Sequence, residues 1–189
     1  MTTTKVMDNT IISTSLKEIK CVNLIKKCSE RYTIATSYEV YLESCKGFSE
    51  TVLKELYKTV VVRNLTDDKK YILLIDYLQT RYPYLHSGEL SSFLLALLDY
   101  ELNRKEYYYV TDDNKMKKVI SKMGGDDLFS EKIGSPIKTF NVTGTIGLIR
   151  KLYENDSLST EDIKRIIEDL KNSTFYITPD LISYLKVAK

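Results

Sequence analysis

Tryptophan is missing from this chain and histidine nearly so: its 189 residues hold one His, three Cys, three Pro and seven Gly. A single histidine, His86, with no patterned Ser or Cys partner is not the signature of a nucleophilic triad. The cysteines are Cys21, Cys28 and Cys45. An odd number without a CxxC pair gives neither a disulfide framework nor a zinc knuckle. Scarce Gly and Pro go with the lack of any linker, repeat or low-complexity tract. No run of about 18 apolar residues and no signal-peptide pattern occur, which predicts a soluble, cytoplasmic protein without a membrane partner. Strong charge of one sign is lacking too. Lys plus Arg number 28 against 26 Asp plus Glu, a net charge of +2 that neither announces nor excludes a nucleic-acid partner.

What the chain does have is 43% hydrophobic residues and 15 Tyr, enough for a real core in one domain. Cys21, Leu24, Ile25 and Cys28 follow helical spacing and read as core. Short strands are predicted at TTKVM (3–7), YTIATS (32–37), VVVRNL (60–65), YYYV (107–110) and TFNVTG (139–144). Helical patterns lie between them. One runs from Asp8 to about Lys27. Others are centred on EVYLESC and SETVLKELYK, the latter with Ser49 as cap. The pattern over 66–81 has Thr66 as cap and that over 87–102 has Ser87, while a further one ends near Gly124–Gly125. Residues 126–140, with Gly134 and Pro136, read as irregular. The last third is helical: 146–155, a helix opened by Ser159, and one opened at Thr178–Pro179–Asp180. Alternating strands and helices predict an α/β fold with a mostly parallel sheet, whose sites form at the carboxyl ends of the strands.

Carboxylates collect at those ends. Asp8 follows the first strand, Glu43 the second by about two helical turns, and Glu89 opens the helix after Gly88. Asp112 and Asp113 follow YYYV. Each has a plain structural reading. Asp and Glu cap helices or complement the helix dipole, Glu43 alone suits a solvated helix face, and Thr145 alone suits an N-cap. Together they suggest clustered negative charge that needs a proton or a hard divalent cation. Asp126 and Asp127 read as loop residues. Lys115, Lys117, Lys118 and Lys122 read as a solvated helix face that can also steer RNA. Tyr107, Tyr108 and Tyr109 read as strand packing.

The runs KVMDNTIIS (5–13), TSYEVYLE (36–43), SGELSSFLLALL (87–98), YYYVTDDNKMKKVISKMG (107–124) and VTGTIGLIRKLYE (142–154) resemble a PIN domain. The resemblance is to the PIN-like branch with a GE…DD…GT series and a C-terminal helical tail, here ending in STFYITPDLISYL (173–185). It implies a three-layer α/β/α domain over 1–145 and a helical extension over 146–189 packed on the same domain. It implies a Mg²⁺- or Mn²⁺-dependent endoribonuclease, often the toxin of a toxin–antitoxin pair and commonly a homodimer. The acids carried over are Asp8, Glu43 (with Glu39 as the other reading of that stretch), Glu89, and the pair Asp112 and Asp113. Of these, Asp8, Glu89, Asp112 and Asp113 would hold metal, and Asp8, Glu43, Glu89 and Asp113 would serve catalysis. Thr111, Gly144 and Thr145 would face the substrate, with the amides at Gly144–Thr145 offered to a phosphate oxygen. Two departures stand out: the stretch 124–140 is long for this branch, and the first strand is polar. The competing readings are a PIN-like module that binds RNA or protein without cutting, and a phospho-acceptor receiver domain. The receiver's acidic pair would follow the first strand, where this chain has only Asp8.

Overall fold

The Val- and Tyr-rich runs form one parallel sheet. The computed structural model describes residues 3–101, 107–134 and 140–186. Its strands are β1 (Thr4–Met7), β2 (Thr33–Ser37), β3 (Val60–Arg63), β4 (Tyr107–Val110) and β5 (Val142–Thr143). They lie in the order β3-β2-β1-β4-β5, and every neighbouring pair is parallel. The chain steps outward from β1 to β3, then returns to lay β4 on the other side of β1. The crevice between the carboxyl ends of β1 and β4 is therefore the point where strand order reverses, the place where α/β sheets bind ligands.

Helices cover both faces, giving the parallel α/β sheet that the alternation predicts and the three-layer α/β/α arrangement that the resemblance implies. Val6, Tyr107 and Tyr109 point to one side, where α5 (Lys69–Arg81), α6 (Ser87–Leu95), α7 (Asn114–Met123) and α8 (Asp127–Ile133) bury Leu74, Leu90, Phe93 and Met116. Met7, Ile34 and Val110 point to the other. There they meet α1 (Asn9–Ser13), α2 (Leu24–Ser29) and the C-terminal α9 (Thr145–Glu154), α10 (Thr160–Lys171) and α11 (Pro179–Lys186). Two further helices, α3 (Tyr38–Gly47) and α4 (Glu50–Leu56), bridge β2 and β3.

The polar first strand is nonetheless central, and all four of its residues are buried. Lys5 is only 3% exposed, and its ammonium lies 3.6 Å from the Tyr108 ring centroid and 4.5 Å from that of Tyr32. Aromatic faces replace part of the lost hydration of such a cation.

Several boundaries differ from the sequence expectation. The first helical stretch does not run to Lys27: α1 widens into a π-helical turn over Thr14–Glu18 and stops at Ile19. The Asp169 carboxylate then accepts from the amides of Lys20 (2.7 Å) and Cys21 (2.8 Å), so these donors need no helix. Cys21 is consequently exposed, whereas Leu24, Ile25 and Cys28 are buried as expected. Asp68, not Thr66, caps α5, and His86, not Ser87, holds the N-cap position of α6. Ser49 occupies the N-cap of α4 without a side-chain bond. The stretch read as irregular contains α8, with the Asp126 carboxylate accepting from the Phe129 amide at 3.1 Å. Pro136, residue 139 of the last predicted strand and the end of the 87–102 helix at 102 lie outside the described residues. Among the described residues no helix is long and apolar enough to cross a membrane.

Candidate functional site

Asp8 ends β1 and caps α1, so its side chain is fixed from two directions. Its Oδ1 accepts from the Thr10 amide (2.8 Å), the Thr10 hydroxyl (2.5 Å) and the Ile11 amide (3.3 Å). Its Oδ2 accepts from the hydroxyl of Thr111, at the end of β4. The Asp8 amide donates to the Val110 carbonyl at 3.1 Å, which sews the crevice together. Asp8 is 0% exposed, and burial pushes its carboxyl up to about 6 against the hydrogen bonds that favour the anion.

A cavity of about 390 Å³ opens over this point, lined by Asp8, Asn9, Thr10, Glu43, Lys46, His86 and Glu89. Glu43 reaches it from the second turn of α3. The first turn of α6 lies directly beneath: a Cβ on Gly88 would sit 2.5 to 2.8 Å from the Glu43 carboxylate atoms. Glycine here makes room for an acid. Glu39, one turn earlier, instead accepts from the Tyr71 hydroxyl at 3.1 Å and is not in the cavity wall. Glu89 accepts from the His86 amide at 3.1 Å. Its carboxyl is held above the ordinary range by burial, and the charges of Asp113 and Glu43 add to this.

The two adjacent aspartates part company. Asp113 caps α7, its Oδ1 accepting from the Met116 amide at 2.6 Å, and its charge is felt at Glu89. Asp112 turns the other way. Its Oδ1 accepts from the Thr145 amide at 2.9 Å and its Oδ2 from the Thr145 hydroxyl. The amide expected to face a phosphate is thus occupied by an internal carboxylate. Gly144 is needed for that approach, since a Cβ there would lie 2.5 Å from Asp112 Oδ1 and 3.2 Å from Lys117 Nζ. Asp112 lines a second cavity of about 630 Å³, together with Lys117, Gly144 and part of the C-terminal segment.

The fold therefore brings Asp8, Glu43 and Glu89 to one cavity with Asp113 beside it, and sets Asp112, Gly144 and Thr145 behind a wall. Thr10 forms that wall: its hydroxyl donates to Asp8 and accepts from the Asp112 amide at 3.1 Å. Sequence reading missed Thr10, Asn9 and Lys46; only the position of Thr10 two residues after the capping Asp8 carried a signal for one of them. Asp126, read as a loop residue, caps α8 and is half of an ion pair with Arg81 at 3.1 Å.

The donor chemistry of Asp8, Glu43, Glu89 and Asp113 fits a hard divalent cation: all are oxygen acids, and the charges of Asp113 and Glu43 add to the burial that raises Glu89. Among the described residues, however, no three acidic, His or Cys side chains stand close enough to hold an ion without movement. No protein-family model, curated protein or solved structure matches this chain.

Proposed function

We propose that this chain is a metal-dependent endoribonuclease of the PIN-like type. The observation that carries the reading is the cavity at the strand-order reversal, walled by Asp8, Glu43 and Glu89 with the Asp113 charge at its edge. Asp8, Glu89 and Asp113 would hold Mg²⁺ or Mn²⁺, with Glu43 as the fourth acid. A bound ion supplies Lewis-acid stabilisation of phosphate charge and a lowered pKa for water. The chain's own part is to orient and to move a proton. Thr10 and Thr111 fix the Asp8 carboxylate, and Glu43, an acid of the same cavity outside the metal-holding set, would take the proton of the attacking water. That water's oxygen bonds to phosphorus as the P–O bond to the leaving ribose breaks. His86 and Lys46 line the same cavity and can meet the substrate phosphate. Asp112 is a positioning residue, fixing the start of α9. The proposal includes a cytoplasmic location, and the resemblance extends it to a homodimer with an antitoxin partner.

A second reading, a module that binds RNA or protein without cutting, draws on one observation: Asp8 has no exposed surface and both its oxygens already accept hydrogen bonds. The test is cleavage of an end-labelled single-stranded RNA in Mg²⁺, Mn²⁺ or EDTA, with wild type, Glu89→Gln and Asp8→Asn purified alike. Metal-dependent cutting lost in both variants is the expected result. Cutting that persists in EDTA, or survives both substitutions, overturns the nuclease assignment to this cavity, and no cutting by wild type favours the binding module.

A further inference from the structure

The larger cavity, about 630 Å³, lies on the other side of the Thr10–Asp112 wall and plays no part in the hydrolytic chemistry above. Its lining is unusual for a packing defect. Phe175, Tyr176 and Tyr184 contribute aromatic rings, Lys117 an ammonium, and Asn114 and Glu18 polar groups. Tyr176 is 84% exposed, the most exposed large apolar side chain among the described residues. Its segment is not loose. The Thr174 amide and hydroxyl donate to Glu18 at 3.2 and 2.9 Å, and Phe175 packs against the core. Tyr184 is backed by the Arg150 guanidinium, 3.9 Å from its ring centroid, and Arg150 also donates to the Tyr184 carbonyl at 3.0 Å. An aromatic ring held outward by a fixed backbone, beside a second ring stacked on a cation, gives a flat apolar face with polar groups at its edge.

We propose that this cavity binds one nucleotide of single-stranded RNA, flanking the phosphate held in the acidic cavity. The base stacks on Tyr176, its polar edge faces Glu18 and Asn114, and the adjoining phosphate meets Lys117. Stacking platforms next to a cation are how sequence-tolerant single-strand sites are built. Glu18 repels phosphate from the cavity interior and accepts hydrogen bonds from a base amino group, which orients the nucleotide base-inward. Continuity favours RNA over a protein ligand: Asp112, in the lining of this cavity, donates its amide to the hydroxyl of Thr10, in the lining of the acidic one. The inference rests on the ribonuclease reading for its substrate, but its readout is binding in EDTA, where no metal-dependent cutting occurs.

The experiment is fluorescence anisotropy of a labelled eight-nucleotide single-stranded RNA in EDTA. It uses wild type, Tyr176→Ala, Tyr176→Phe, Lys117→Ala and, as a remote control, Tyr84→Ala, whose side chain is 52% exposed. Tyr176→Ala should weaken binding roughly tenfold, Lys117→Ala severalfold, and Tyr176→Phe and Tyr84→Ala little. Melting temperatures should be unchanged for Tyr176→Ala, because its ring is not packed. Equal affinity for wild type and Tyr176→Ala overturns the proposal, as does failure of wild type to bind the RNA. Binding that depends on Tyr176 without any cutting in Mg²⁺ or Mn²⁺ sustains this site while the nuclease reading falls. Cutting that ignores Tyr176 and Lys117, with unchanged affinity, does the reverse.

Discussion

Asp8 is a carboxylic acid with no exposed surface, and its proton is correspondingly hard to remove. An unfolded chain releases it near 3.8 and the folded protein near 6. Between those values the native state keeps a proton that the unfolded state has lost. The stability associated with that proton is full below about pH 4 and disappears as pH rises through 6. A shift of that size corresponds to on the order of 3 kcal/mol. Asp8→Asn carries no charge to desolvate. Its carbonyl oxygen still accepts from the Thr10 and Ile11 amides, and its amide group can donate to the Thr111 hydroxyl. In EDTA at pH 7.5 the variant should melt no lower than wild type, and at pH 4 any advantage should vanish. Thermal melts at both pH values check this, and a variant much weaker at pH 7.5 would mean that the ionised carboxylate is net stabilising. Gly88 offers a second residue-scale test. Gly88→Ala places a methyl 2.5 Å from a Glu43 oxygen, and the half-buried Glu43 can swing outward to relieve it. Stability should change by less than about 1 kcal/mol, as Ala favours the helix. RNA cleavage should fall tenfold or more if Glu43 works in the cavity, whereas unchanged cleavage removes Glu43 from the site.

At the scale of elements, adjacent aspartates after a buried strand make sense because they serve two different helices. Asp113 caps α7, and Asp112 satisfies the first amide and the hydroxyl of Thr145 in α9. A cap and a ligand are not exclusive roles, since Asp113 uses one oxygen for the cap. Asn caps a helix as well as Asp does. Asp113→Asn should therefore keep its stability and lose metal-dependent cleavage, while Asp113→Ala should lose about 1 kcal/mol as well. Asp112→Ala leaves the Thr145 donors without their partner and should cost about 1–3 kcal/mol. Urea unfolding beside cleavage assays separates these effects. A large stability loss in Asp113→Asn would make its charge structural. The sequence showed that two acids sit at this boundary, but the direction each takes was not legible, because it depends on Thr145 and Met116 in separate helices. The helix α8 was hidden for another reason. Seven residues with two buried side chains, Phe129 and Ile133, make too short a period to stand out from loop composition.

For the whole molecule, the alternation of β-branched runs with helical patterns was enough to predict a parallel sheet, and its C-terminal edge located the acids. The convergence of Asp8, Glu43 and Glu89 was not readable locally, since Glu43 depends on the missing side chain of Gly88 across two helices. The polarity of TTTKVM also misled, because Lys5 is accommodated by rings from β4 and the chain before β2. The assembled site then makes a prediction about the entire fold. Burial and the charges of Asp113 and Glu43 disfavour the Glu89 anion, and a cation in the crevice would compensate them. An ion that binds only the folded state stabilises it by about 2.7 kcal/mol at a hundredfold excess over its dissociation constant. For a chain of this size that is a rise in melting temperature of about 5 °C or more. The ion must compete with the Asp8 proton, which leaves near pH 6. The rise in Mn²⁺ should therefore be large at pH 7.5 and small at pH 5, and absent at both in the double variant Asp8→Asn, Glu89→Gln. Differential scanning fluorimetry reads all three. A rise that is equal at the two pH values would place the ion away from Asp8. No rise at either would leave the crevice without a metal and favour the binding module over the nuclease.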